Sequence, residues 1–575
     1  MKKESRIIKI CAVTAALLAT ALGLVKSVFI SLDIDESYLV ACAYRIAAGD
    51  RIFADMWEPH QLASLIPSLF VRAYMSVSGT TEGIVIFLRI VSVIIHICTG
   101  IVFYGFMNRR TGKGISFALL LVHLNFLPKW VQSLDFELMA YWAVLGSCLL
   151  LLSATQTSSE EKTTSGSSFK DCMKFFAAGF LLLISMLSYP TLMILYPVFI
   201  AGIIICHEKR SRIKGIFLFT LGALLPGLFI LFLIFLSVPH GEFVSSIVNV
   251  FSNPSHATRP FLKRMGEYAA EGVKALLIWG LITCAVFIPV RTVRKEKKAP
   301  EDTACFSMLV SFIVLQTVMI IGCIFFDKNQ FFMQGRYAAF IIPAIIISIK
   351  RNEKKLLWFM MLPGMASVLS VLAVTNMNAG TAWSKSMPAV LVSIYLLLSA
   401  YLDPEKAIMK KTAECAVLAL IAGLFLCRLG LIRVTGCLPV TINADFEKVT
   451  NGPSKGIYIT RMFAESANSE YEALEGLYDA DTPVLYVGAE MLLYLDHPCR
   501  IASPSVEGTT IYDEYFLTYY EKHPEQLPEV VIYDMNYPEV YEYRKYPQEY
   551  VIDEWIADNY PRVLMETQDL TVYAK

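Results

Sequence analysis

Long apolar runs separated by short charged gaps fill the first three quarters of the chain. Each run approaches the ~20 residues that an α-helix needs to cross a bilayer. Roughly thirteen of them begin, near Ile7, Gly83, Ile115, Phe136, Phe175, Leu192, Gly215, Val273, Cys305, Tyr337, Leu356, Ala389 and Ala413. The runs after Ile115, Phe175 and Tyr337 are short for a full crossing and read as broken or re-entrant. Near Val434 the pattern changes. Short alternating strands (Pro483 to Val487, Glu529 to Tyr533, Leu570 to Ala574) interleave with helical stretches (Glu470 to Tyr478, Val551 to Tyr560), which is the pattern of a small α/β domain. The expected architecture is an α-helical polytopic membrane protein: a multi-helix membrane domain over 1–432 and a soluble α/β domain over 433–575.

Lys and Arg set the orientation. Met1-Lys2-Lys3, Arg109-Arg110, Lys209-Arg210, the run Arg291 to Lys298, Lys350-Arg351 and Lys410-Lys411 fall at the N-terminus and in every second gap. Basic gaps stay in the cytoplasm. This predicts a multi-pass protein of the cell membrane with a cytoplasmic N-terminus and an extracytoplasmic C-terminal domain. Three stretches then lie outside: Ser31 to Glu82, Val238 to Gly272, and Val434 to the end. Ala19-Thr20-Ala21 resembles a signal-peptide cleavage site, but the apolar run continues to Ile30, so a retained first span is expected.

Composition narrows the function classes. Of 575 residues, 55% are hydrophobic and 17% charged, well short of the quarter that a soluble domain carries. Fifty Lys and Arg balance fifty Asp and Glu, so no basic field points to nucleic acid. No P-loop and no GxGxxG occurs in the C-terminal segment. Among the thirteen cysteines there is no CxxC pair and no zinc spacing. Most cysteines lie in apolar runs; Cys42, Cys437 and Cys499 lie outside them, and a Cys437–Cys499 bridge is one open pairing.

The first external stretch carries the densest chemistry. It opens Asp33-Ile34-Asp35-Glu36 directly after the first span. Carboxylates crowded at a membrane surface repel one another and resist burial, and a metal ion or a substrate hydroxyl would reward the cluster. A capping box from Asp33 to Glu36 accounts for two of them equally well, because Ser37 to Ala48 reads as an amphipathic helix. Further on, Trp57-Glu58-Pro59-His60 places Pro59 where a second helix can start, beside a histidine able to meet a metal or a phosphate. The second external loop holds Lys129-Trp130 and then Asp135-Phe136-Glu137; Asp135 is either a solvated helix cap or an acid aimed into a cavity. Arg336-Tyr337 precedes a Pro-containing span. Arg89 lies inside the second span, where an arginine is costly and usually faces a partner. Lys26 sits close enough to the end of its span to snorkel. The stretch 238–272 offers His256, Arg259, Lys263 and Arg264 as a basic lid or as a solvated loop.

In this order the motifs resemble the GT-C membrane glycosyltransferases, most closely the protein O-mannosyltransferase and aminoarabinose-transferase branch. The resemblance covers about Met1 to Tyr401 and is one of topology and short motifs. It implies a polyprenyl-phosphate-linked sugar donor and a lipid, glycan or protein acceptor on the outer face. It implies Asp35 and Glu36 as the catalytic acidic pair, with Arg336, Arg89 and His60 toward the donor phosphate. A divalent metal (Mg, Mn or Zn) would fall to Asp135 and Glu58. Where many members carry Lys-Pro-Pro, this chain reads Glu58-Pro59-His60. Asp35 and Asp135 are expected to share one cavity, as are Arg89 and Arg336. A transporter or lipid flippase explains the span count but not the long first loop, and a non-catalytic scaffold gives the acids no role.

Overall fold

A computed structural model describes the chain except residues 1, 129–130, 161–168, 252–259, 294–299, 326–337, 376–381, 401–406, 434–438, 442–444, 489, 508–513 and 536–550. Arg336, Tyr337, Lys129, Trp130, His256, Arg259 and Cys437 fall outside the described residues.

Sixteen helices account for the described part of the first 430 residues: α1 (Lys2–Phe29), α2 (Ile34–Ala48), α3 (Leu65–Ser78), α4 (Ile84–Thr111), α5 (Lys113–Asn125), α6 (Phe136–Glu160), α7 (Phe169–Ser188), α8 (Leu195–Cys206), α9 (Lys209–Ser237), α10 (His240–Phe251), α11 (Phe261–Val293), α12 (Pro300–Phe325), α13 (Ala338–Lys350), α14 (Lys354–Val374, with a π segment at Leu357–Met361), α15 (Met387–Ala400) and α16 (Ala407–Gly430). Among the described residues ten helices are long and apolar enough to cross a membrane, and three shorter apolar ones lie at Lys113–Asn125, Pro190–Cys206 and Ala339–Lys350. Leu225, Leu228, Phe229 and Phe232 on α9 are exposed, a contiguous apolar face that hydrocarbon, not water, would cover. The run after Phe175 is not short: its helix begins upstream at Phe169. Glycine brings α7 and α9 together, since a Cβ at Gly179 would collide with the Phe219 carbonyl and one at Gly222 with the Phe176 carbonyl.

The stretch Ser31 to Glu82 folds as predicted into two helices, with a correction at the second start. Pro59 is followed by a 3-10 turn at Gln61–Ser64, and α3 proper begins at Leu65. Gly49 and Gly79, both left-handed, end α2 and α3.

The C-terminal segment contains two antiparallel pairs, β1 (Leu431–Arg433) with β2 (Pro439–Thr441) and β3 (Phe446–Lys448) with β4 (Tyr458–Thr460), then a five-stranded sheet. The sheet comprises β5 (Pro483–Val487), β6 (Arg500–Ile501), β7 (Val530–Asp534), β8 (Arg562–Glu566) and β9 (Leu570–Ala574), in the order β6-β5-β7-β9-β8. The β5 pairings to β6 and β7 are parallel, and the remaining ones antiparallel. All five residues of β5 are buried, as a central parallel strand requires. Helices at Glu514–Lys522 and Val551–Asn559 pack on it through Phe516, Tyr519, Ile552 and Ile556, and a helix at Arg461–Leu474 packs against β3 and β4. Cys42 and Cys499 are buried free thiols.

This small domain is built around residues of the first loop. Trp57 is 1% exposed and packs into the domain core with Leu485, Phe516, Tyr519 and Val531. Its ring meets Tyr519 edge-on at 5.1 Å, and its backbone N–H donates to the Pro504 carbonyl at 2.8 Å. Glu58 is fully buried and accepts from the Tyr38 hydroxyl (3.0 Å), the Ser505 hydroxyl (2.8 Å) and the Val506 N–H (2.5 Å). Burial pushes the Glu58 carboxyl up, and Arg45 with the bonds from Val506 and Ser505 opposes it. Arg45 in turn binds Asp50 at 2.6 Å and the Asp55 carbonyl at 2.6 Å. The Gly83 and Val85 N–H groups at the start of α4 donate to Gly452 and Pro453.

The loop and the domain therefore stand or fall together. Trp57→Ala is expected to cost about 3–5 kcal/mol by the usual scale for a buried aromatic. Glu58→Ala, which strips an acceptor from three buried donors, is expected to cost about 1–3 kcal/mol. Thermal melting of the detergent-solubilised protein checks both. An unchanged melting temperature in both variants would mean that the two parts are not coupled there.

Candidate functional site

Three elements converge where α1 ends and α2 begins. The chain leaves α1 through Ser31, a non-glycine residue with φ of 74°, in the left-handed region. Two hydrogen bonds hold it there. Its N–H donates to the Tyr458 carbonyl of β4 at 2.8 Å, and its carbonyl accepts from Arg89 Nη2 at 2.8 Å. Such strain persists only where the surroundings enforce it, and it concentrates at functional sites.

The three acids that follow have different surroundings. Asp33 is the N-cap of α2: its carboxylate accepts the Asp35 N–H at 3.1 Å, and it is 1% exposed. Glu36 does not turn back to complete a capping box. It accepts two bonds from Arg89, Nε at 2.7 Å and Nη2 at 2.5 Å, with both side chains buried. Burial raises the Glu36 carboxyl; Arg89 opposes this, and the charges of Asp33 and Asp135 add to it. Asp35, in the first turn of α2, is half-buried. Of the three it is the one with appreciable access to solvent.

Arg89 thus serves the fold at this site. Besides Glu36 it donates to the carbonyls of Val28 (3.0 Å) and Ser31 (2.8 Å). It braces the last turn of α1, the α1–α2 corner and the first turn of α2 from inside α4.

Asp135 reaches the same region from a hundred residues away. It is fully buried, caps α6 by accepting the Leu138 N–H at 2.8 Å, and receives the Ser133 hydroxyl at 2.5 Å. Its loop is held from the membrane side by a chain of bonds that local sequence reading missed. Arg428 in α16 donates to Gln132 Oε1 (2.9 Å), Gln132 to the Ser92 hydroxyl (3.2 Å), and that hydroxyl to the Ser133 carbonyl (2.8 Å). Arg428 is 3% exposed. A buried arginine in an apolar span was the available signal. Lys26 caps the end of α16 by donating to the Arg428 carbonyl at 2.9 Å. Arg264 likewise donates to the Ala373 carbonyl near the end of α14, at 2.5 Å.

His60 stacks on the ring of Phe136, with centroids 4.4 Å apart and planes at 3°. Tyr38 and Tyr189 complete the cluster, at 6.3 and 5.9 Å from His60. Since Phe136 lies between Asp135 and Glu137, His60 sits at the start of α6. Glu137 pairs with Lys385, Nζ to Oε2, at 2.9 Å. Lys385 escaped the sequence reading because it stands alone between apolar runs; that isolation was itself the signal.

For a divalent metal the fit is poor. Glu58 is engaged by the C-terminal domain, and among the described residues no group of three or more His, Cys, Asp or Glu side chains is arranged to hold a metal ion.

Loss of Arg89 should therefore damage the fold first. Arg89→Ala leaves Glu36 as a buried, uncompensated charge, an error that typically costs about 3–5 kcal/mol. Asp33→Ala removes a helix cap, worth about 1 kcal/mol. The measurement is the melting temperature of the two variants; similar small losses in both would show that the Arg89–Glu36 pair is not structural.

No protein-family model and no curated protein matches the sequence. Among solved structures, the chain is similar to the oligosaccharyltransferase of Archaeoglobus fulgidus tethered with an acceptor peptide. The identity is 12% and the TM-score 0.45, over 91% of this chain and 69% of that one. The same protein in complex with Zn and sulfate aligns at 10% identity and a TM-score of 0.44, over 91% and 68%. ArnT from Cupriavidus metallidurans in the apo state aligns at 12% identity and a TM-score of 0.39, over 100% of this chain and 98% of that one. At these identities no residue role passes from those proteins to this chain.

Proposed function

We propose that this protein is a membrane glycosyltransferase of the GT-C kind. In this reading it moves a sugar from a polyprenyl-phosphate-linked donor to a lipid, glycan or protein acceptor on the extracytoplasmic side, where α2, α3 and the C-terminal domain lie. The observation that carries the reading is the division of roles among the three first-loop acids. Asp33 caps, Glu36 is bound by Arg89, and Asp35 is presented with solvent access on a corner braced from three sides. A capping device needs no such brace, whereas a reacting carboxylate needs a fixed position.

The chemistry follows from the donor. Asp35 takes the proton of the acceptor hydroxyl as that oxygen bonds to the anomeric carbon. The bond from that carbon to the phosphate oxygen breaks, and its electron pair leaves with the phosphate. Such transfer needs a base on one side and positive charge on the other. Arg336 and His60 are the residues that the family resemblance assigns to the phosphate. Arg89 is a positioning residue, acting through Glu36 and the carbonyls of the corner. A lipid-tailed donor explains why the reaction needs a membrane body, and the C-terminal domain fixes Glu58 and Trp57 beside His60.

Asp35→Asn preserves size and removes the base. Transfer of labelled sugar from a polyprenyl-phosphate donor in proteoliposomes is expected to fall by roughly 10²–10⁴-fold, with the melting temperature unchanged. A variant as active as the native protein would remove Asp35 from the mechanism. Absence of transfer by the native protein across the available sugars would remove the glycosyltransferase reading itself.

A further inference from the structure

Arg428 stands near the end of α16, just before the chain enters β1. Its side chain is buried, yet every acceptor it meets is neutral. They are the Leu124 carbonyl at the end of α5, the Ser27 hydroxyl of α1 (3.4 Å) and Gln132 Oε1 of the second loop (2.9 Å). Its Nε makes no hydrogen bond. Among the described residues no carboxylate pairs with it. A clamp between helices needs only hydrogen bonds, which a neutral side chain supplies with a smaller desolvation penalty. The positive charge itself needs a reason.

The hydrogen bonds that lead away from Arg428 can run in one direction only. A guanidinium donates and cannot accept, so the oxygen of the Gln132 amide faces it and the nitrogen faces Ser92, at 3.2 Å. The Ser92 hydroxyl accepts that bond and gives its own hydrogen to the Ser133 carbonyl at 2.8 Å. A carbonyl accepts and cannot donate, so this link is fixed as well. The Ser133 hydroxyl then donates to Asp135 Oδ2 at 2.5 Å, and the Leu138 N–H to Oδ1 at 2.8 Å. All four side chains from Gln132 to Asp135 along this path are buried. A cation stands at one end, and a carboxylate accepting at both oxygens stands at the other. Aligned donors polarise one another where the dielectric is low. The chain therefore works as an ion pair with neutral links between its charges.

The loop so held carries two groups to the first-loop corner. The charge of Asp135 acts on Glu36, the partner of Arg89. The ring of Phe136 is the surface on which His60 stacks. Arg428 is itself tightly seated: a Cβ on Gly23 of α1 would come within 2.9 Å of its Cγ and Cδ.

We propose that Arg428 is a positioning residue of the transfer reaction: through Gln132, Ser92 and Ser133 it sets the place of Asp135, and with it of Phe136 and His60, against the corner that presents Asp35. It touches neither donor nor acceptor. The catalytic consequence rests on the glycosyltransferase reading above; the structural one rests on the chain of bonds alone.

Two readouts on the full-length protein separate these. One is transfer of labelled sugar from a polyprenyl-phosphate donor. The other is hydrogen exchange at the Leu138 amide, which reports the bond to Asp135. Arg428→Gln keeps a polar side chain and removes the charge. Its kcat is expected to fall about 10–100-fold, with the donor KM unchanged. Exchange at Leu138 is expected to quicken, while α2, where the Ser37 N–H bonds to the Asp33 carbonyl, keeps its native rate. Arg428→Lys keeps the charge and is expected to recover part of both kcat and protection. Gln132→Leu breaks the chain in its middle. It is expected to repeat Arg428→Gln, and the double variant to be no worse than either single one. Losses that multiply in the double variant would mean that Arg428 acts by another route, and would overturn the proposal. So would equal losses in Arg428→Lys and Arg428→Gln, or faster exchange spread over α2 as well, the mark of a general loosening. Should Arg428→Gln fail to fold, Gly23→Val pushes the guanidinium aside from α1 and must give the same local change. A native protein that transfers no sugar, with exchange as expected, supports the chain and defeats the glycosyltransferase reading. Native transfer that Arg428→Gln and Gln132→Leu leave intact defeats the role of Arg428.

Discussion

The geometry of the first loop depends on one buried ion pair, Arg89 with Glu36. In the low dielectric between α1, α2 and α4, neither charge is tolerable alone. Together, with the Val28 and Ser31 carbonyls taking further guanidinium protons, they form a closed network. Its consequence is positional. The chain must leave α1 through a left-handed Ser31 and start α2 at once, so Asp33 is placed to cap and Asp35 keeps partial access to solvent. A looser corner would let the three acids exchange these roles.

The C-terminal domain completes the same corner from the other side. Its β4 accepts the Ser31 N–H through Tyr458, its core takes in Trp57, and its Ser505 and Val506 satisfy Glu58. A loop of some fifty residues is rarely rigid. Here two helices and a borrowed tryptophan make it part of a packed body. Preorganisation of this kind is what a reacting carboxylate requires, and it gives the domain a role in holding the loop.

Local patterns carried most of the architecture. Apolar runs marked the helices, and β5 and β9 fall on the residues that the alternation picked out, Pro483 to Val487 and Leu570 to Ala574. Leu570 to Ala574 was legible because strand periodicity is a property of neighbours in sequence. The partners of Arg89, Glu58 and Asp135 were not, because each lies on another element: Glu36 is 53 residues from Arg89, and Ser505 is 447 from Glu58. Residue type showed that Arg89 must face something, but not that the something was Glu36 rather than a phosphate. Glu58 read as a free acid for a metal because nothing in the first loop reveals the domain that fills it.

The two buried pairs near the start of α2 and α6 invite comparison, since the same physics leads them to different ends. Arg89 has its charge met by Glu36 and by two backbone carbonyls that cannot leave. Displacing Glu36 would strand a guanidinium among fixed dipoles, so the pair is permanent. Lys385 is a compact ammonium on a flexible stem, paired with a carboxylate that a helix N-terminus also stabilises. Arginine is the better choice where geometry must not change, and lysine where one anion has to be traded for another. Arg89 is the first case: it holds the carboxylate corner still.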